Sequence, residues 1–149
     1  MKDSQEGRCH CGDISYSLKK NKIISAHHCH CKDCQRITGS GKATIIFIAK
    51  KYVDLKGELK YFESKGTSGP HVRRGFCSTC GSGILSYARE LPHILFIKAG
   101  TLDDSSWVKI DSNFFTKSAN DWNKPDESIK CFEGNPGIMY NLKTLIKSF

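Results

Sequence analysis

The sequence predicts a mainly β fold closed by a short C-terminal helix, and three features of it carry that prediction. Apolar residues alternate with polar ones or run together in short β-branched segments, the pattern of half-buried and central strands. Glycine, asparagine and proline break these segments at short intervals, as at Asn21, Gly39-Ser40-Gly41, Gly57 and Asn135-Pro136-Gly137. Only the last stretch, with Ile138, Leu142, Leu145, Ile146 and Phe149, repeats at helical spacing over more than a turn or two.

The start, Met1 to Arg8, is polar and has no apolar leader, so a soluble, cytoplasmic protein is expected. Ile14, Tyr16 and Leu18 then alternate as in a strand, and the same period places Cys9 and Cys11 on one face. After the turn at Asn21, Ile23 to Ala26 begins a strand that delivers His27-His28-Cys29-His30-Cys31-Lys32-Asp33-Cys34. Lys32 to Thr38 reads as a knuckle or helical turn closed by Gly39.

Ala43 to Ala49 is β-branched and apolar, a central strand. Tyr52 to Leu55 and Leu59 to Phe62 read as two short strands around Gly57, and Ser64 to Pro70 as a loop. Val72 to Phe76 leads into Cys77-Ser78-Thr79-Cys80-Gly81, and Ile84 to Ala88 and Ile94 to Ala99 follow as strands. Beyond Gly100 the pattern weakens, with Trp107, Ile110, Phe114, Phe115 and Trp122 as bulky core candidates.

No linker, repeat or low-complexity segment divides the 149 residues, and 38% hydrophobic content supports one core, so residues 1–149 are expected to form a single domain. No apolar run approaches the roughly 18 residues of a membrane span. The formal charge is +8, which seven thiolates and two zinc ions would lower to about +5. Lysines are scattered without an aromatic-interleaved basic helix, which disfavours nucleic-acid binding and suits an anionic small substrate equally well.

Seven of the eight cysteines fall in three tight groups, and in a reducing compartment such grouping points to metal or redox chemistry rather than disulfides. Cys9/Cys11 and Cys77/Cys80 are two close pairs, each followed by glycine, as a closed four-ligand zinc site requires. Cys29, Cys31 and Cys34 offer three ligands for a second ion with an open fourth position, the usual arrangement of a catalytic zinc. The alternative is a second closed zinc completed by His27, His28 or His30. The three histidines receive no metal role, but they remain candidates for moving protons beside the metal. Cys131 stands alone and reads as a small buried hydrophobe.

Gly7-Arg8-Cys9-His10-Cys11-Gly12, His28 to Arg36 and Gly75 to Ser82 resemble the three cysteine blocks of the glutathione-dependent formaldehyde-activating (GFA) family, which shares its domain with centromere protein V. The resemblance continues through Gly57 to Phe62, Ala99 to Asp104 and Ser118 to Trp122, and so spans roughly residues 5 to 125. It implies a β-tent fold, in which twisted antiparallel sheets meet around a structural zinc held by Cys9, Cys11, Cys77 and Cys80. Cys29, Cys31 and Cys34 would hold a catalytic zinc, giving two per chain. The implied enzyme is a carbon–sulfur lyase that combines a small thiol such as glutathione with an aldehyde, formaldehyde, or takes the adduct apart. Arg36, Lys32 or Lys42 would then pair with the thiol's carboxylates. One departure is that Gln35 follows Cys34 where a basic residue is usual, with Arg36 next. Two other functions are set beside the enzyme: a zinc-stabilised scaffold with both ions closed, and a nucleic-acid-binding module in the manner of centromere protein V.

Overall fold

The computed structural model describes residues 3–67, 69–147 and 149, and only the backbone of Ile138, Met139 and Leu145. Met1 and Lys2 of the polar start, Ser68 of the expected loop, and the Ile138 and Leu145 side chains of the expected apolar stripe lie outside the described residues. In chain order the elements are β1 (Ser4–Arg8), β2 (Ser15–Lys19), β3 (Ile23–Cys29), α1 (Lys32–Thr38), β4 (Ala43–Ala49), β5 (Val53–Lys56) and β6 (Lys60–Lys65). There follow β7 (His71–Phe76), β8 (Gly83–Ala88), β9 (Ile94–Lys98), β10 (Ser112–Phe114), β11 (Lys130–Cys131) and α2 (Ile138–Lys147).

The protein is mainly β and forms two sheets. The smaller runs β1-β2-β5 and the larger β11-β10-β3-β4-β9-β8-β7-β6. Central strands β4 and β9 are apolar on both faces because both faces are covered. Ile46, Ile48, Leu95 and Ile97 turn one way into a core shared with Tyr16 and Leu18 of the small sheet. Ile45, Phe47 and Phe96 turn the other way, toward Cys29, Cys31 and Phe114.

The expected all-antiparallel pairing needs correction at one edge, where β10 runs parallel to both β3 and β11. Parallel neighbours require a crossover. The segment between β9 and β10 brings the chain back beside β3, packing Trp107, Val108 and Ile110 against the core as it passes, and residues 115–129 carry it from β10 to β11. Strand β1 has no apolar pattern and exists by pairing with β2, Gly7 standing opposite Tyr16. Cys9 and Cys11 therefore sit in the β1–β2 turn, not on a strand face.

The strands expected around Gly57 form but part company, since β5 pairs with β2 and β6 with β7. Gly57 makes that passage at φ 95°, where a Cβ would meet the Asp13 carbonyl oxygen at 2.7 Å. Trp122 is not a core residue but 71% exposed, and Cys131 is exposed on the two-residue edge strand β11. In α2 the expected stripe is not buried either: Leu142 and Ile146 face solvent, while Tyr140 packs on Phe132 and Phe114. Among the described residues no helix is long and apolar enough to cross a membrane.

Candidate functional site

The first thiol group stands where the two sheets meet. The β1–β2 turn brings Cys9 and Cys11, the β7–β8 turn brings Cys77 and Cys80, and all four sulfurs lie within 4.8 Å of one another. Each turn is wound to bring its sulfurs toward those of the other. Gly12 and Gly81 take φ 88° and 79°, and the Ile14 amide donates to Cys9 Sγ at 3.2 Å. The His10 amide donates to Ser82 Oγ at 3.0 Å and so links one turn to the other. Cys80 is held down at about 5, first by the Ser82 hydroxyl and then by the Ser82 amide.

The second group is built on the opposite face of the large sheet. Cys29 ends β3, Cys31 precedes the first turn of α1 with its sulfur accepting from the Cys34 amide at 3.3 Å, and Cys34 lies in that turn. The three sulfurs lie within 4.8 Å of one another, and among the described residues no histidine or carboxylate joins them. Hydrogen bonds from Cys29 and Cys34 push the Cys31 thiol down, while the bond to Cys31 pushes Cys29 up. Sulfurs this close ionise together only around a cation. All eight cysteines are free of disulfides.

These thiols open on a cavity of about 390 Å³. Its floor is the face of the large sheet that carries Cys29, and the strand registers order it. Ile45 faces Lys98, Phe47 faces Phe96, Phe96 faces Ser86, and Ser86 faces Arg74. Helix α1 contributes Asp33 and Cys34, the β6–β7 loop contributes Thr67 and Pro70, and α2 contributes Asn141 and Thr144. Burial pushes the Lys98 ammonium below its usual range, opposed by the neighbouring Cys34 thiol. Among the described residues no carboxylate lies within 4.0 Å of Lys98. Arg74, its side chain 12% exposed, donates to Ser64 Oγ at 2.7 Å and lies 3.8 Å from Asp33 Oδ2.

The cations named from sequence are not the ones at the cavity, since none of Lys32, Arg36 and Lys42 lines it. Lys98 and Arg74 take their place, and sequence reasoning missed them. The available signal was a lysine closing the otherwise apolar run Ile94-Leu95-Phe96-Ile97, in phase with Phe96. Nor do the three histidines face the cavity, which removes them as proton carriers. His27 is fully buried between Ser112 Oγ (2.7 Å) and Ser25 Oγ (2.8 Å), its ring stacked on Phe114 at 4.2 Å, and burial pushes it down to about 4. His28 bonds Thr44 Oγ1 at 2.8 Å, and His30 meets Asn113 Oδ1 at 3.3 Å. Gln35, in the position where a base was expected, is a tie. Its amide donates to the carbonyls of His30 (2.8 Å) and Ser118 (2.9 Å), anchoring the loop that carries Cys31.

The family model described as glutathione-dependent formaldehyde-activating enzyme matches residues 4–118. A Halomonas elongata protein, provisionally described as a glutathione-dependent formaldehyde-activating enzyme, is 22% identical over 144 residues, covering 88% of each chain. A crystal structure of a Rhodobacter sphaeroides protein shares the fold with a TM-score of 0.52 at 22% identity, over 66% of this chain and 87% of that one.

Proposed function

The chain belongs to the glutathione-dependent formaldehyde-activating enzyme family, and on that premise we propose that it makes and breaks the carbon–sulfur bond between a small thiol, glutathione or a relative of it, and an aldehyde. The observation that carries the reading is the three-thiol group, joined by no histidine, carboxylate or further cysteine among the described residues, opening on a cavity lined by Lys98 and Arg74.

The donor sets fit zinc, which favours thiolate sulfur and four ligands. Cys9, Cys11, Cys77 and Cys80 would hold one ion as a closed structural set. Cys29, Cys31 and Cys34 would hold the second and leave one position for substrate. Bound there, zinc supplies a Lewis acid that keeps a thiol ionised at neutral pH.

The chain's own residues bind and orient. Arg74 offers a little-exposed guanidinium for a carboxylate of the thiol. Lys98 stands among the three thiols and Ile45, where negative charge grows on the aldehyde oxygen as sulfur adds to carbon. The π pair of the C=O bond moves onto that oxygen, and the proton lost by the thiol ends there. Cleavage reverses each movement. Phe47, Phe96 and Phe114 keep water away from the reacting atoms.

The test is zinc content and turnover of glutathione plus formaldehyde in the wild type, Cys31→Ser and Lys98→Met. Two zincs are expected in the wild type, one in Cys31→Ser with activity lost, and two in Lys98→Met with kcat down by roughly 10²-fold. A wild-type rate no faster than uncatalysed addition defeats the reading.

A further inference from the structure

We propose that the aldehyde taken by this site carries an apolar group of about phenyl size, an inference that rests on the function proposed above and names one half of its substrate. Along the row Phe47, Phe96, Ser86, Arg74 the floor of the cavity passes from an aromatic flank to a polar one. Toward β7 and β8 stand Arg74 and Ser86, with Asp33 beside them, a surface for the charged and amide groups of a peptide-like thiol. Toward β4, β9 and β10 stand Phe47, Phe96 and Phe114, the first two with ring centroids 4.5 Å apart and Phe47 and Phe114 6.1 Å apart.

A glutathione–formaldehyde adduct brings no large apolar group to that second flank. Glutathione presents two carboxylates, an ammonium and two amides, and formaldehyde brings one carbon with no substituent. An aromatic wall inside a site of about 390 Å³ binds what it can cover, and apolar surface left without an occupant stays unfavourably hydrated. An aldehyde with an aryl or short branched alkyl group matches in both size and polarity. The chemistry balances as before: sulfur bonds to the aldehyde carbon, the π pair goes to oxygen, the thiol proton follows it, and no oxidant or reductant is needed. Part of the cavity wall, Asn135, Asn141 and Thr144, comes from the chain beyond residue 118, where the family match ends.

The experiment is calorimetric binding of two stable thioethers to the zinc-loaded wild-type protein, S-methylglutathione and S-benzylglutathione, which imitate the adducts of a small and an aryl aldehyde. S-benzylglutathione is expected to bind roughly tenfold tighter or better, from the apolar area it covers. In Phe96→Ser that preference should shrink to under about threefold. Equal affinities in the wild type overturn this inference and leave the glutathione reading standing. Binding of neither compound overturns both. A preference that survives in Phe96→Ser and equally in Phe47→Ala overturns the placement of the group on the aromatic flank.

Discussion

Arg74 Nη2 lies 3.8 Å from Asp33 Oδ2, and the same carboxylate oxygen accepts a hydrogen bond from Thr67 Oγ1 at 3.0 Å. Strand β7, helix α1 and the β6–β7 loop thus meet on one carboxylate at the side of the cavity. Asp33 is 33% exposed and Arg74 12%, so the pair holds the guanidinium in place without fully neutralising it.

Arg74→Gln is therefore expected to raise KM for the thiol roughly tenfold or more with kcat within about threefold, the loss of a charge-assisted hydrogen bond to a bound carboxylate. Asp33→Asn frees Arg74 and should lower KM or leave it unchanged. Steady-state kinetics at varied thiol concentration decide it, and an unaltered KM in Arg74→Gln removes Arg74 from thiol binding.

The two thiol groups should part stability from activity. Cys77 belongs to the group that joins the β1–β2 turn to the β7–β8 turn, and so one sheet to the other, whereas Cys31 serves a group on one face of the large sheet. Cys77→Ser is expected to lower Tm by more than about 10 °C or prevent folding, as loss of a structural metal does, while Cys31→Ser stays within about 3 °C of the wild type. Circular dichroism melts read both, and equal melting of the two variants contradicts the division.

How much of this was legible in the sequence depended on whether local pattern or distant pairing decided each element. Ala43–Ala49 announced itself because β-branched residues were buried on both faces, and the cysteine spacing gave both thiol groups because two ligands of each lie close in the chain. Strand β1, with the sequence Ser-Gln-Glu-Gly-Arg, carries no apolar signal and depends on β2. Strands β10 and β11, three and two residues long, depend on a crossover that local reading does not see. Lys98 and Arg74 were missed for the same reason, since only strand register sets them on one face of the large sheet with Cys29.

Tyr16 gives a pH dependence with a definite sign. Its hydroxyl lies 2.8 Å from Thr101 Oγ1, which donates to the Lys98 carbonyl, so Tyr16 is the donor in this chain of bonds. Burial pushes the phenol up to about 12, with the help of the Asp103 charge. The unfolded phenol ionises near 10. Between these values the unfolded state loses its proton first, so the stabilisation is complete below pH 10 and is lost as pH rises through 12. On the order of 2 kcal/mol should disappear across that window. Urea denaturation at pH 9.5 and 11.5 should show a steeper loss for the wild type than for Tyr16→Phe, and parallel losses in the two proteins contradict it.

The same tyrosine explains why residue 7 has no side chain. Gly7 faces Tyr16 across the β1–β2 pairing and bridges to Leu102 on its other side. A Cβ there would stand 2.3 Å from Tyr16 Cζ and 2.7 Å from the Thr101 carbonyl oxygen. Neither neighbour can yield cheaply: the phenol ring is 3% exposed and bonded to Thr101, and the other atom is backbone. At Gly39 the conditions are reversed, with φ at 67° but nothing within 4 Å of an added Cβ. Gly7→Ala should therefore cost about 1–3 kcal/mol or more through overpacking, and Gly39→Ala only about 1 kcal/mol through its left-handed backbone. Chemical denaturation of both variants ranks them, and a smaller loss at Gly7 than at Gly39 would mean that β1 can move away from Tyr16, and that its pairing holds the first thiol pair less firmly than the contacts indicate.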